Sequence, residues 1–150
     1  MNHLEPYHVQ DDKGNALVFY IVENRTKPCP QCGVPACGKE DILWYEKEGK
    51  RIAIIFDGGL FDLAIEMYFQ KNVNANNYST LPKFLRAWNE DIEWAANWDY
   101  NGFDIDIQGF IQTMNLLKGN EWISDDCLNV LENLAREAQG YRLVLKIVRG

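Results

Sequence analysis

Two hydrophobic rhythms run along this chain, strand-like in its first third and helical through most of the rest. Residues 7–10 and 16–23 are rich in β-branched and aromatic side chains, and Asp11, Asp12, Lys13, Gly14 and Asn15 between them have the composition of a turn, which predicts a β-hairpin. From Ala16 to Val22 the apolar character is nearly continuous, as in a central strand covered on both faces. A second hairpin is predicted from residues 42–45 and 51–56, which flank Glu48, Gly49 and Lys50. Gly49 can take the positive φ that a tight turn needs.

The spacing then changes. Asp57, Gly58 and Gly59 break the strand, and residues 60–71 read as a helix with Leu60, Leu63, Ala64 and Met67 on one stripe. A polar, Asn-rich loop follows at 72–77. Ser79 or Thr80 is a suitable cap for a second helix with Pro82 in its first turn, and Leu81, Phe84, Leu85, Trp88, Ile92 and Ala95 keep helical spacing. A third helix is marked by Ile107, Phe110, Ile111, Met114 and Leu117 and stopped at Gly119. In a fourth, Ser124 is the cap and Asp125 and Asp126 occupy the first turn, where the helix dipole favours anions. Leu128, Leu131, Leu134, Ala135 and Ala138 form its apolar stripe, and Gly140 ends it. Alternation at 141–148 predicts a last strand. Strands followed by helices imply an α+β fold: an antiparallel sheet made of two N-terminal hairpins and a C-terminal strand, packed against about four helices. With no low-complexity linker, residues 1–150 are expected to form one domain carrying a Cys/Pro/Gly loop at 25–39.

Composition agrees with a packed globule. Of 150 residues, 47% are hydrophobic and 13% aromatic, more apolar content than disordered chains reach. The net charge is -7, from 22 acidic and 15 basic side chains. Such a chain is repelled at long range by nucleic acid and anionic lipid, and its basic clusters, Lys47/Lys50/Arg51 and Arg142/Lys146/Arg149, are sparse. Nucleic acid is therefore an unfavoured partner. No apolar run is long enough for a membrane span. The first ten residues lack the basic and apolar regions of a signal peptide. With clustered, unevenly spaced cysteines, this predicts a reducing, cytoplasmic setting.

The sharpest local chemistry lies in the loop. Cys29-Pro30-Gln31-Cys32-Gly33 places two thiols where one metal ion can hold both, and the glycine lets the backbone fold around it. This five-residue spacing resembles the knuckle of zinc ribbons and rubredoxins. Pro35-Ala36-Cys37-Gly38 echoes it at once, with Val34 where the first copy has Cys29. Three thiolates are local, and structural zinc takes four ligands. His8 is the candidate fourth, with Cys127 as the alternative and His3 a further option. The competing reading is a loop of cysteines that pack or are free. A redox pair is disfavoured, because such pairs open a helix and Pro30, Gly33 and Pro35 oppose one.

Other candidates are carboxylates. Asp57 with Gly58 and Gly59 at a strand-to-helix turn could face a phosphate, and Asp104 with Asp106 could hold a divalent cation. The structural alternative is that Asp57 and Asp106 cap helices. Neither a catalytic motif nor a phosphate-binding signature is present. From Ala87 to Leu117 there is no Lys or Arg, while Glu90, Asp91, Glu93, Asp99, Asp104 and Asp106 are interspersed with Trp88, Trp94 and Trp98. Trp94 and Trp98 share a helical face. Glu90, Asp91, Glu93, Trp94 and Trp98 thus outline an acidic, aromatic interaction face for a basic protein, unless the tryptophans are core. Two expectations follow. One is a non-catalytic binding module, of inhibitor or immunity type, facing a basic partner. The other is a zinc-stabilised accessory or enzyme domain acting on a nucleotide or nucleic acid.

Overall fold

A computed structural model describes residues 6–10, 16–21, 40–90 and 103–148. These residues form a six-stranded sheet and four α-helices, an α+β architecture. The strands are β1 (Tyr7–Gln10), β2 (Ala16–Ile21), β3 (Glu40–Lys47), β4 (Lys50–Asp57), β5 (Phe103–Asp104) and β6 (Lys146–Val148). The helices are α1 (Gly58–Asn72), α2 (Lys83–Glu90), α3 (Ile107–Leu116) and α4 (Asp125–Gly140), with a 3-10 turn at Tyr78–Thr80 before α2. The loop expected at 25–39 lies outside the described residues.

Both hairpins form. β1 pairs antiparallel with β2 through Tyr7 opposite Phe19, and β3 pairs antiparallel with β4 through Trp44 opposite Ala53. The turn of the second hairpin is Glu48-Gly49, with φ of 52° and 76°. Two successive positive φ values make the tight turn whose twist matches that of the flanking strands.

The strand order is β1-β2-β4-β3-β6-β5, and the sheet is mixed rather than antiparallel, because β2 runs parallel to β4. Alternation within a hairpin determines only the pairing inside it. The chain between β2 and β4 includes all of β3, far more than the dozen or so residues a parallel return requires. β2 is also not the central strand its apolar run implied. It lies second from the edge, and of its residues only Val18 is buried. The centre belongs to β4 and β3. The C-terminal strand is short: Tyr141 follows the end of α4, Arg142 has a φ of 58°, and pairing begins only at Lys146. β5 is an addition to the expected strands and pairs with β6.

One face of the sheet carries the helices. Leu43 and Tyr45 of β3, Ile54 and Phe56 of β4 and Ile147 of β6 join the helical residues in one core cluster. These positions alternate along their strands, as a one-sided sheet demands. Trp44 and Ala53 are buried on the other face and do not belong to that cluster. Arg51 covers the Trp44 ring at 3.7 Å and Lys146 lies 5.8 Å from its centroid, so the indole is sealed by cation stems.

The helices begin where their capping groups put them. Asp57 Oδ1 accepts from Leu60 N at 3.0 Å, Asp106 Oδ2 from Gly109 N at 3.2 Å and Ser124 Oγ from Cys127 N at 3.1 Å, each satisfying a donor the helix leaves open. Thr80 does not cap α2: its hydroxyl donates to Asn77 O at 2.6 Å and closes the 3-10 turn. The buried stripe of α1 is Phe61, Ala64 and Ile65, one residue around from the expected Leu60, Leu63, Ala64 and Met67. Leu63 is 40% exposed. Apolar residues occur nearly all round this helix, so spacing alone does not choose the inward face.

Candidate functional site

The connection between α3 and α4 holds a large apolar side chain out of the core. Gly119 has a φ of 79°, which turns the chain after α3 without the strain a side chain would bring. Asn120 then fastens the turn to α1, its Nδ2 donating to Ala64 O at 3.2 Å, while its Oδ1 accepts from Trp122 N at 2.8 Å. Gly119 N donates to Asp125 Oδ1 at 2.9 Å. Ile123 is buried, so it plugs the connection into the core and directs its neighbour Trp122 to solvent, where it is 42% exposed. Leu116 at the end of α3 and Leu63 on α1 are also exposed large apolar side chains.

The charged residues nearest Trp122 in the chain are largely acidic. Glu121, Asp125 and Asp126 are all exposed. Lys118, the nearest basic residue in the chain, donates to Asn129 Oδ1 on α4. A tryptophan is normally well buried. Here the chain keeps one at the surface, with acidic residues on either side of it in sequence. The sequence pattern points to such a combination at 88–98 and does not single out Trp122. The signal was present: a tryptophan between a helix-stopping glycine and a helix-capping serine, flanked by acids.

The earlier interaction set is only partly placed. Glu90 is exposed in the last turn of α2. Asp91, Glu93, Trp94 and Trp98 lie outside the described residues. Trp88 is buried, with its Nε1 donating to Asp62 Oδ1 at 2.9 Å. Of the zinc candidates, Cys29, Cys32, Cys37 and His3 also lie outside the described residues, His8 is exposed on β1, and Cys127 is fully buried in the first turn of α4. Among the described residues, no three His, Cys, Asp or Glu side chains come together as a metal site would require.

The carboxylates considered for metal-phosphate chemistry have work within the fold. Asp57 and Asp106 are helix caps, and Asp104 pairs with Lys146 at 2.9 Å. A further buried carboxylate, Asp41 of β3, has no exposed surface and lies against Gly58 at the start of α1, where the helix dipole favours negative charge. Asp41 was not recognised from sequence, because its partner is a helix end brought over by tertiary folding.

Tyr45 gives the fold a pH dependence at alkaline pH. Tyr45 is 1% exposed, and burial, then the nearby Glu137, Tyr141 and Tyr20, push its phenol up to about 12. The folded state therefore favours the neutral phenol. Its contribution is intact below the ordinary tyrosine range near 10 and is lost as pH rises through 10 towards 12. Urea denaturation at pH 9 and pH 12 should show wild type losing roughly 2 kcal/mol more than Tyr45→Phe over that interval. Equal losses would show that Tyr45 ionises as readily in the fold as in the unfolded chain.

No family model matches the chain, and comparison with curated proteins and with solved structures likewise found no match.

Proposed function

We propose that this protein is a non-catalytic binding module that docks a basic protein surface on the acidic corner between α3 and α4, with Trp122 as its anchor. The observation that carries the reading is the outward presentation of Trp122, held by the buried Ile123 and by the Asn120 bond to α1. Burying an indole of this size supplies the contact energy. Glu121, Asp125 and Asp126 steer a cationic partner and disfavour an acidic one, in line with the chain's net charge of -7. Covering a basic surface is how an inhibitor or immunity protein neutralises its target, and a module of that type fits this chemistry. Among the described residues no helix is long and apolar enough to cross a membrane.

The test is capture of a basic protein on the immobilised chain, run beside Trp122→Ala and Glu121→Lys. Both side chains are exposed, so the variants should unfold at the wild-type temperature. Affinity for the captured protein should fall about tenfold or more for Trp122→Ala. For Glu121→Lys the loss should fall mainly on the association rate and fade at high salt. Undiminished binding by both variants would remove the corner from the interaction. The zinc reading of Cys29, Cys32 and Cys37, with His8 or Cys127, has its own measurement: about one zinc per chain by elemental analysis of protein prepared without chelators.

A further inference from the structure

We infer that the helix-free face of the sheet is a self-association surface, on which a second copy of this chain packs the same face across a two-fold axis. The runs from Ala16 to Ile21 and from Ile52 to Phe56 are apolar at successive positions, the pattern of strands covered on both sides. The described helices cover one side only. On the other, Ile21, Ile55, Ile42 and Val148 are paired in one row across β2, β4, β3 and β6. All four are half-buried, and none belongs to the core cluster or to the residues packed against it. Leu17 and Phe19 of β2, on the same side, are half-buried and outside the core in the same way. A sheet face open to water is ordinarily polar. One this apolar marks a contact with another layer.

Charge, area and twist select a second copy as that layer. The chain carries -7 overall, so most approaches between copies are repulsive, yet on this face charge is balanced locally. Arg51 pairs with Glu46 and Lys146 with Asp104, each at 2.9 Å. The remaining charges of the face, Glu40 and the helix-capping Asp57, lie at one rim. A basic partner finds Glu46 and Asp104 already engaged. The sheet without the short β5 has five strands. Spaced about 4.8 Å apart, with three rows of side chains about 6.7 Å apart, they make a plane of roughly 500 Å². Two copies then bury roughly 1000 Å² in total, the threshold for a specific interface. Sheets pack face to face when their twists match, with strands about 30° apart, and a second copy necessarily has the same twist. The Trp122 corner belongs to the helical layer, so this contact leaves it open.

An interface of this size is half-assembled at roughly 1–100 µM. The experiment is sedimentation of the full chain across and beyond that range at about 150 mM salt, which screens the general repulsion. Wild type should pass from monomer to dimer. Ile55→Lys, within the apolar row, and Leu17→Lys should each move the midpoint at least about tenfold upward. Leu63→Lys, on exposed α1 surface, should leave it in place. Methyl resonances of wild type give a readout free of any variant: a dissolved nitroxide should broaden the Ile21, Ile42 and Ile55 methyls in dilute solution and spare them in concentrated solution. A monomer throughout the range, a dimer that both face variants leave intact or that Leu63→Lys abolishes, or methyl broadening independent of concentration would each overturn the proposal.

Discussion

Phe61→Ala should lose about 4 kcal/mol of stability, the range observed when a large aromatic is removed from a packed core. Phe61 has no exposed surface and sits edge-on to two neighbours, Phe56 at 5.3 Å and Trp88 at 5.1 Å. Trp88 in turn meets Phe84 at 5.6 Å, and Phe84 meets Phe110 at 4.9 Å. The series therefore runs from β4 through α1 and α2 to α3, and Phe61 is the member that joins sheet to helices. Its loss removes the transfer energy of a phenyl ring and leaves a void that its neighbours on β4 and α2 cannot jointly close. Phe61→Leu keeps most of the volume and should cost about 1.5 kcal/mol or a little more. Urea denaturation followed by tryptophan fluorescence measures both. A loss under about 1 kcal/mol for Phe61→Ala would mean that this ring is not part of the close-packed core.

Gly58→Ala should be nearly as damaging, although glycine to alanine inside a helix ordinarily stabilises by up to about 1 kcal/mol. A Cβ built on Gly58 would lie 2.3 Å from Asp41 Oδ1, 2.5 Å from its Cγ and 2.7 Å from Oδ2. Neither side has room to yield. Asp41 is fully buried in β3, opposite Phe56 in the ladder, and Gly58 is the first residue of α1. Overpacking alone costs about 1–3 kcal/mol, and displacing a buried carboxylate from a favourable helix end adds to it, so about 3 kcal/mol is expected. Gly59→Ala is the control. Its nearest atom is Asp57 Oδ1 at 3.3 Å, and its stability should stay within about 1 kcal/mol of wild type. Asp41→Ala combined with Gly58→Ala should cost less than the two single changes added together, because the clash and the carboxylate vanish at once. Equal stability of the Gly58→Ala and Gly59→Ala variants would contradict the placement of Asp41 over the helix start.

The two predictions concern the same junction from opposite sides. Asp57 ends β4 and caps α1, Asp41 crosses from β3 to the beginning of that helix, and Phe61 enters the core one turn later. The buried carboxylates here serve the junction between sheet and helix. The proposed docking corner lies elsewhere, on the α3–α4 connection, where Ile123 and Asn120 hold the turn while Trp122 remains exposed. Trp122 and Glu121 are exposed and lie outside this junction, so they can be changed without touching the core.

What the amino-acid sequence determined by itself is what a few neighbouring residues decide among themselves. Glu48-Gly49 turns the second hairpin, Asp57, Asp106 and Ser124 start α1, α3 and α4, and Leu128, Leu131, Leu134, Ala135 and Ala138 form the inward stripe of α4. A cap or a two-residue turn is closed by groups three or four positions apart, and a clean stripe leaves a helix one face to bury. Tertiary structure alone decided the rest. It set β2 parallel to β4, because a hairpin's pattern carries no information about the neighbour it docks on. It turned α1 by one residue so that Phe61, Ala64 and Ile65 face inward, because apolar side chains surround that helix and the sheet chooses among them. It buried Asp41 against Gly58, and it left Trp122 outside by placing Ile123 within the core. Each of these outcomes depends on partners distant in the chain, whose contact energies do not exist until the elements have packed.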